Sequence, residues 1–327
     1  MIEWLRGAAY KRLKFPNRLQ ECISGAGPGH VKSRFVRHRV AAFAVLCLLP
    51  GAFLGPELYR LFGLVLNDGN YSHIPLIPVI SVYFLYVWRD LIFKRVGQAW
   101  KSGSALIFSG AVSLTAARVN AFNLIATNQN SLLIFGLVLL WIGMFLLCFG
   151  LSPFRVALFP LLFLFFMVPI PEPLLTHIVV FLQEYSSDCA AWMFQLMGVP
   201  FLRHGFDFAL PSVTIRVAEE CSGIRSTLAL VIVSVLTSKL FLKNTWHRLI
   251  LCLFVIPISI AKNGFRIAFL STMAIYVNPS FLTGPLHHRG GIVFFVIGLL
   301  PFFLILKLLQ SREGERAVLP SNSGAPA

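Results

Sequence analysis

Residues Ser131 to Leu151 form a stretch of 21 positions without one charged side chain, and that stretch excludes most folds. At about 1.5 Å of rise per residue, a helix of this length covers roughly 30 Å, the thickness of a bilayer's hydrocarbon core. Further apolar runs lie near Val40–Pro56, His73–Trp88, Ala105–Thr127 and Val156–Ile170, then from Cys221, from Leu249 through Asn263 and Arg266, and at Gly291–Leu309. Across 327 residues, 57% are hydrophobic and only 13% charged, more apolar surface than a water-soluble domain can bury. The expected fold class is therefore an all-α polytopic integral membrane protein with about eight transmembrane helices. The third run is interrupted by Arg118, Asn120 and Asn123, and an arginine inside a span needs a partner in the bundle.

Charge sets the expected orientation. The chain carries 28 Lys+Arg against 13 Asp+Glu, a formal +15, and in a membrane protein such an excess marks cytoplasmic loops rather than a nucleic-acid surface. Nine basic residues fall in residues 1–39, which read as a basic cytoplasmic leader. Arg89–Lys101, Ser152–Arg155 and the group Lys239, Lys243 and Arg248 are the next basic connections. Lys307, Arg312 and Arg316 close the last span, and residues 311–327 read as a flexible cytoplasmic tail. Both termini are thus expected in the cytoplasm of a cell inner or plasma membrane, with Cys221 at the outer face. The six cysteines show neither a CxxC pair nor metal-ligand spacing, so no metal and no cofactor is expected.

Between the fifth and sixth runs the pattern changes. In Glu172–Gly198 apolar residues recur at helical spacing around Glu184, Tyr185, Ser186, Ser187 and Asp188. This suits an amphipathic helix lying in the interface, or one packed on the bundle with a polar face towards a cavity. Counting spans from an inside N-terminus, the segment lies on the outer surface or re-enters, unless the third span is miscounted. Alternation in Phe206–Leu210 and Val213–Val217 then predicts a short extracytoplasmic β-hairpin pivoting at Pro211-Ser212.

Directly after that hairpin comes Val217-Ala218-Glu219-Glu220-Cys221-Ser222-Gly223-Ile224-Arg225-Ser226. A cysteine at the mouth of a helix faces unpaired amides that favour a thiolate, and Arg225 at i+4 adds positive charge on the same face. The same residues also suit a buried cysteine beside a Ser-Gly packing step. Arg266 lies 18 residues beyond Arg248, roughly 27 Å of helical rise, which brings it level with Cys221. There it can snorkel to the interface or act in a site. His287 and His288 precede the last span, and His287, Gly291 and Phe295 form an i, i+4, i+8 stripe. A thiol, a cation and an imidazole expected at one membrane face make up what acyl transfer needs.

The ten residues around Cys221 resemble the signature of the exosortase/archaeosortase family. Asn263-Gly264-Phe265-Arg266-Ile267 resembles that family's arginine motif, and His287 with Gly291 and Phe295 its histidine motif. Tyr71-Ser72-His73, Pro169-Ile170-Pro171 and Gly198-Val199-Pro200 add supporting matches, so the resemblance covers a membrane domain of roughly residues 40–310. It implies a membrane-embedded cysteine transpeptidase or protease. Its partners would be exported proteins bearing a C-terminal sorting signal of motif, membrane helix and basic cluster, within the lipid bilayer. A lipid-linked or polysaccharide acceptor would receive the cleaved protein. Carried over, Cys221 is the nucleophile, Arg266 the oxyanion or thiolate stabiliser and His287 the acid/base, with Ser222, Gly223, Arg225 and Asn263 binding substrate. Two alternatives remain at this point: a membrane cysteine protease without transfer, and a non-enzymatic component of polysaccharide export or assembly.

Overall fold

A computed structural model describes residues 33–53, 71–218, 222–282 and 291–318, with single positions 55, 59 and 63. The chain is mostly helical and packs as two compact units that divide between Leu175 and Thr176.

The first unit contains α1 (Ser33–Phe53), α2 (Leu76–Val87), α3 (Arg89–Ile92), α4 (Trp100–Arg118), α5 (Ala126–Phe149), α6 (Leu151–Val156) and α7 (Leu158–Phe163), followed by a 3-10 turn, Leu164–Met167. Its centre is the α4/α5 pair. Lipid offers helices no hydrophobic reason to associate, so close packing through small residues must supply it. Four glycines do so here. A Cβ on Gly110 would lie 2.8 Å from the Gly136 carbonyl oxygen, one on Gly136 2.9 Å from that of Gly110, and one on Gly143 2.9 Å from that of Gly103. A Cβ on Gly103 would meet Leu147 at 2.7 Å. α1 packs on α5 through Phe43, whose ring meets Phe145 and Phe149 edge-on. At one end of the unit the Arg39 guanidinium donates to the carbonyls of Gly97 (2.8 Å) and Cys148 (2.9 Å). A cation there suits the exposed carbonyls at the end of α5. The leader, the Arg89–Lys101 loop and the end of α5, all assigned to one side of the membrane by charge, meet at this arginine.

Arg118 does not interrupt a span, as the sequence suggested; it closes α4. Asn120 and Asn123 follow with positive φ of 46° and 48°, in the left-handed region that asparagine tolerates. The Asn120 side chain accepts from the Leu124 amide at 2.7 Å. These polar residues build the turn to α5.

The second unit holds most of α8 (Glu172–Leu196), three short strands, α9 (Ile224–Phe241), α10 (Thr245–Tyr276), a 3-10 turn (Pro279–Leu282) and α11 (Gly291–Val318). Strands β1 (Leu202–His204), β2 (Asp207–Ala209) and β3 (Thr214–Arg216) pair antiparallel in that order. The segment expected as a hairpin at Pro211-Ser212 is β2 and β3, with Ala209 opposite Thr214, and β1 widens it to a three-stranded sheet.

Two cores lie along α10. At one, Leu230 and Leu242 from α9 and its end meet Leu251, Val255 and Ile258 of α10 and Phe302, Leu306 and Leu309 of α11. At the other, Phe208, Leu210 and Val217 of the sheet region pack with Ala190 and Phe194 of α8 and Ile267 and Ala268 of α10. The tight turn between α9 and α10 is clamped by Glu313 of α11. Its carboxylate accepts from the backbone amides of Lys243 (2.8 Å) and Asn244 (2.9 Å) and lies 3.0 Å from His247 Nδ1. The Asn244 side chain caps α10 by accepting from the Trp246 amide, and Arg248 donates to the Leu242 carbonyl at the end of α9.

Among the described residues four helices are long and apolar enough to cross a membrane, α5, α9, α10 and α11, and a fifth is added if the broken pair Leu158–Met167 and Glu172–Leu196 counts as one. The sequence reading expects eight. α2 has 12 residues, about 18 Å of rise, too short to span alone, and α4 is rich in Gly, Ser and Thr. Within its own unit α8 packs on the sheet region and α10 through Ala190 and Phe194. Gln183, Ser186 and Ser187 are buried, while Phe181, Tyr185 and Trp192 are exposed. Glu184 and Asp188 are exposed on the same helix, so its outer face mixes apolar and acidic groups.

Removing the Glu313 carboxylate strands two amides at the α9/α10 turn. Glu313→Ala is expected to cost about 1–3 kcal/mol, with Glu313→Gln, which keeps one acceptor, losing less. Thermal unfolding in detergent micelles measures both; equal Tm values for Glu313→Ala and wild type would disprove the clamp.

Candidate functional site

The site begins with the chain leading to Cys221. The Val217 amide donates to the Phe206 carbonyl at 2.9 Å, continuing the sheet, and the Val217 carbonyl accepts from Gln183 Nε2 of α8 at 2.8 Å. Both partners are buried, so the strand end is fixed to α8 four residues ahead of the cysteine. Glu219, Glu220 and Cys221 lie outside the described residues, as do His287 and His288.

On the far side of Cys221, Ser222 is buried in a tight turn and Gly223 has φ +75°. An L-residue pays roughly 1–2 kcal/mol in that left-handed conformation, so glycine is the residue that fits. α9 starts only at Ile224. This corrects the expectation that the sixth span begins at Cys221: the left-handed Gly223 breaks any helical stripe from Cys221 to Arg225, so the i+4 argument for Arg225 fails. Arg225 itself is exposed on the first turn of α9.

The arginine motif sits directly on this turn. Where a Gly223 Cβ would stand, Asn263 Oδ1 lies at 3.0 Å and its Cγ at 3.1 Å. Asn263 is 1% exposed. Two stretches 40 residues apart, both singled out from sequence, are therefore in van der Waals contact through Gly223 and Asn263. Arg266 follows one turn later on α10, half-buried, with Ile267 and Ala268 beside it in the core under the sheet. That places Arg266 at the sheet end of α10.

Gly264 holds α10 against α8. A Cβ there would lie 2.6 Å from Cys189 Cβ and 3.1 Å from the Ser186 carbonyl. The helix axes can approach this closely only because the side chain is absent. Gly291 and Phe295 fall on α11 as expected, while the histidine of that stripe is among the positions not described.

Three features beside this turn were given no role by the sequence reading: a buried lysine, the hydroxyls around it and an α8 glutamine. Lys262, buried within α10, donates from Nζ to Ser226 Oγ of α9. Ser226 in turn donates to the Gly223 carbonyl at 2.9 Å, and Thr227 Oγ1 to the same carbonyl at 3.0 Å. Gln183 is the third. Lys262 was detectable: residues 249–261 carry no charge, and a cation then appears four positions before Arg266. Gln183 has no such signal, since its partner is a backbone carbonyl. Among the described residues no His/Cys/Asp/Glu group is arranged to hold a metal.

The glycine contacts predict an order of stability. Gly264→Ala meets the rigid Cβ of Cys189 and is expected to cost about 1–3 kcal/mol. Gly298→Ala on α11 meets only the lysine stem of Lys262 at 3.1 Å, which can give way, and alanine's higher helix propensity offsets the crowding. Thermal unfolding should rank Gly298→Ala near wild type and Gly264→Ala below it; the reverse order would contradict the packing.

Comparison with curated proteins and with solved structures finds no match to this chain. The family described as Transmembrane exosortase (Exosortase_EpsH) matches residues 65–304. That range takes in the α4/α5 pair, the sheet, the turn at Gly223 and the arginine motif on α10, together with the position of His287. The chain belongs to the transmembrane exosortase family.

Proposed function

We propose that this protein is a membrane-embedded cysteine transpeptidase or protease that cleaves the C-terminal sorting signal of exported proteins and passes the product to an acceptor. The seat of Asn263 on Gly223 carries this reading. It joins the arginine motif to the turn that follows Cys221, as a shared catalytic centre requires. Family membership supports the coarser part, a membrane sorting enzyme.

The chemistry follows from the residue types. Cys221 attacks the scissile carbonyl as thiolate, and the electron pair moves to the carbonyl oxygen, which Arg266 stabilises through its guanidinium. His287 protonates the departing amine as the C–N bond breaks, leaving a thioester on Cys221. His287 then removes a proton from the acceptor, whose attack on the thioester releases the thiol. Of the residues that the resemblance assigns to substrate binding, exposed Arg225 is the one proposed to meet the substrate, while buried Ser222, Gly223 and Asn263 shape the turn beneath it. With water as the acceptor, the same steps give a protease.

Cys221→Ala is expected to abolish processing of a tailed substrate at normal expression. Cys221→Ser should be nearly as inactive. Arg266→Lys keeps the charge but loses the fork, with an expected loss of roughly ten- to a thousand-fold. His287→Ala should be severe and His288→Ala mild. Immunoblotting of substrate cleavage in cells reads all five, and continued processing by Cys221→Ala would end the enzymatic reading.

The site is proposed to face the outside. Ser212 in the sheet region and Lys243 at the other end of α9 are both exposed. An impermeant maleimide should label Ser212→Cys in intact cells and Lys243→Cys only after permeabilisation. The opposite pattern would invert the orientation.

A further inference from the structure

We infer that Lys262 is a positioning residue for the nucleophile turn, acting through Ser226 and tying α11 to it; the inference rests on Cys221 being the nucleophile. Lys262 is 6% exposed in the middle of an apolar helix bundle, where an amine without partners is costly. Its position is nevertheless built. The stem lies along Gly298 of α11, with Cδ at 3.1 Å and Cγ at 3.4 Å from where a Cβ would stand, so that glycine makes room for the lysine. The amine reaches Ser226 on the first turn of α9.

The direction of this relay is fixed by counting protons. The Ser226 hydroxyl has one, and the contact at 2.9 Å directs it to the Gly223 carbonyl. Its lone pair therefore faces Lys262, which must donate. Gly223 accepts further hydrogen bonds from Thr227 Oγ1 at 3.0 Å and the Thr227 amide at 2.9 Å. A carbonyl this heavily bonded pins the left-handed turn two residues after Cys221, with Asn263, the next residue after Lys262, closing its other side. Lys262 thus touches α9 at the cysteine turn and α11 downstream of the histidine motif, from its place on the arginine helix.

Among the described charged groups, Arg266 lies one turn on along the same helix and Arg225 precedes Ser226 on α9. α11 presents glycine where it faces the lysine.

The test compares Lys262→Met, Ser226→Ala and the double variant in the full-length protein in detergent. It reads the rate of Cys221 alkylation by iodoacetamide against pH, together with substrate processing in cells. Methionine keeps the stem and removes the donor; Ser226→Ala keeps the lysine and breaks the relay. Each single variant is expected to slow Cys221 alkylation at neutral pH by about ten-fold, equivalent to about one pKa unit in the thiol, with the half-point moved to higher pH. The double variant should be no slower than the worse single, because both act along one path. Alkylation of Cys189 in the same samples should stay unchanged, which a general loosening of the bundle would not allow. Wild-type alkylation and pH profile in Lys262→Met would overturn the inference, and so would multiplicative losses in the double variant. Cys221→Ala that still processes substrate would instead sink the catalytic reading, leaving the alkylation result to judge the turn alone.

Discussion

The contact on which the site depends is between a missing side chain and an amide. Gly223 takes a left-handed conformation that brings the chain out of the sheet region and into α9, and the space its absent Cβ leaves is filled by Asn263. Any larger residue at 223 would both strain the backbone and push α10 away. Since Arg266 is carried one turn beyond Asn263, the distance between the guanidinium and the cysteine turn is set by this contact and not by loop length. The sheet, the α8 anchor at Val217 and the hydroxyls of Ser226 and Thr227 all serve to hold the same few residues from different sides.

The surrounding bundle follows the rules of lipid rather than water. α11 exposes Ile292, Val296, Leu300 and Phe303 while burying Phe294, Phe302 and Leu306, so both its outside and its inside are apolar. In such a medium, specificity comes from what is small or polar. The α4/α5 glycines give one unit its close helix pair. In the other, Gly264 brings α8 against α10, and buried Gln183 and Lys262 supply directional bonds.

Much of this was legible before any coordinates. Apolar runs mark the helices, alternation marks β2 and β3, and the spacing of basic loops brings Arg39, the Gly97 loop and the end of α5 to one end of the first unit. The pairing of the Cys221 and Arg266 stretches was also readable, from helical rise measured against basic loops. What escaped has a common cause. Hydropathy averages over a window, so it placed the start of α9 at Cys221 and Arg118 inside a span, whereas a single backbone dihedral at Gly223 and two at Asn120 and Asn123 set those boundaries. Gln183 and Ser226 bond to backbone carbonyls, and no side-chain pattern announces a carbonyl.

Two cations one turn apart on α10 would repel in an isolated helix, and their different surroundings explain how both persist. Lys262 is buried, its charge directed into a hydroxyl that is already bonded to the Gly223 carbonyl, so its interaction is made before any substrate arrives. Arg266 is only half-buried, near the sheet, and its planar fork is suited to an oxygen whose charge appears and disappears during a reaction. A buried ammonium and a half-buried guanidinium fit the two roles proposed for them, one fixing the turn and the other meeting the reacting oxygen. Exchanging them would leave the net charge of the helix unchanged, yet place the fork in the tight space beside Gly298 and a point charge where the proposed role calls for a fork.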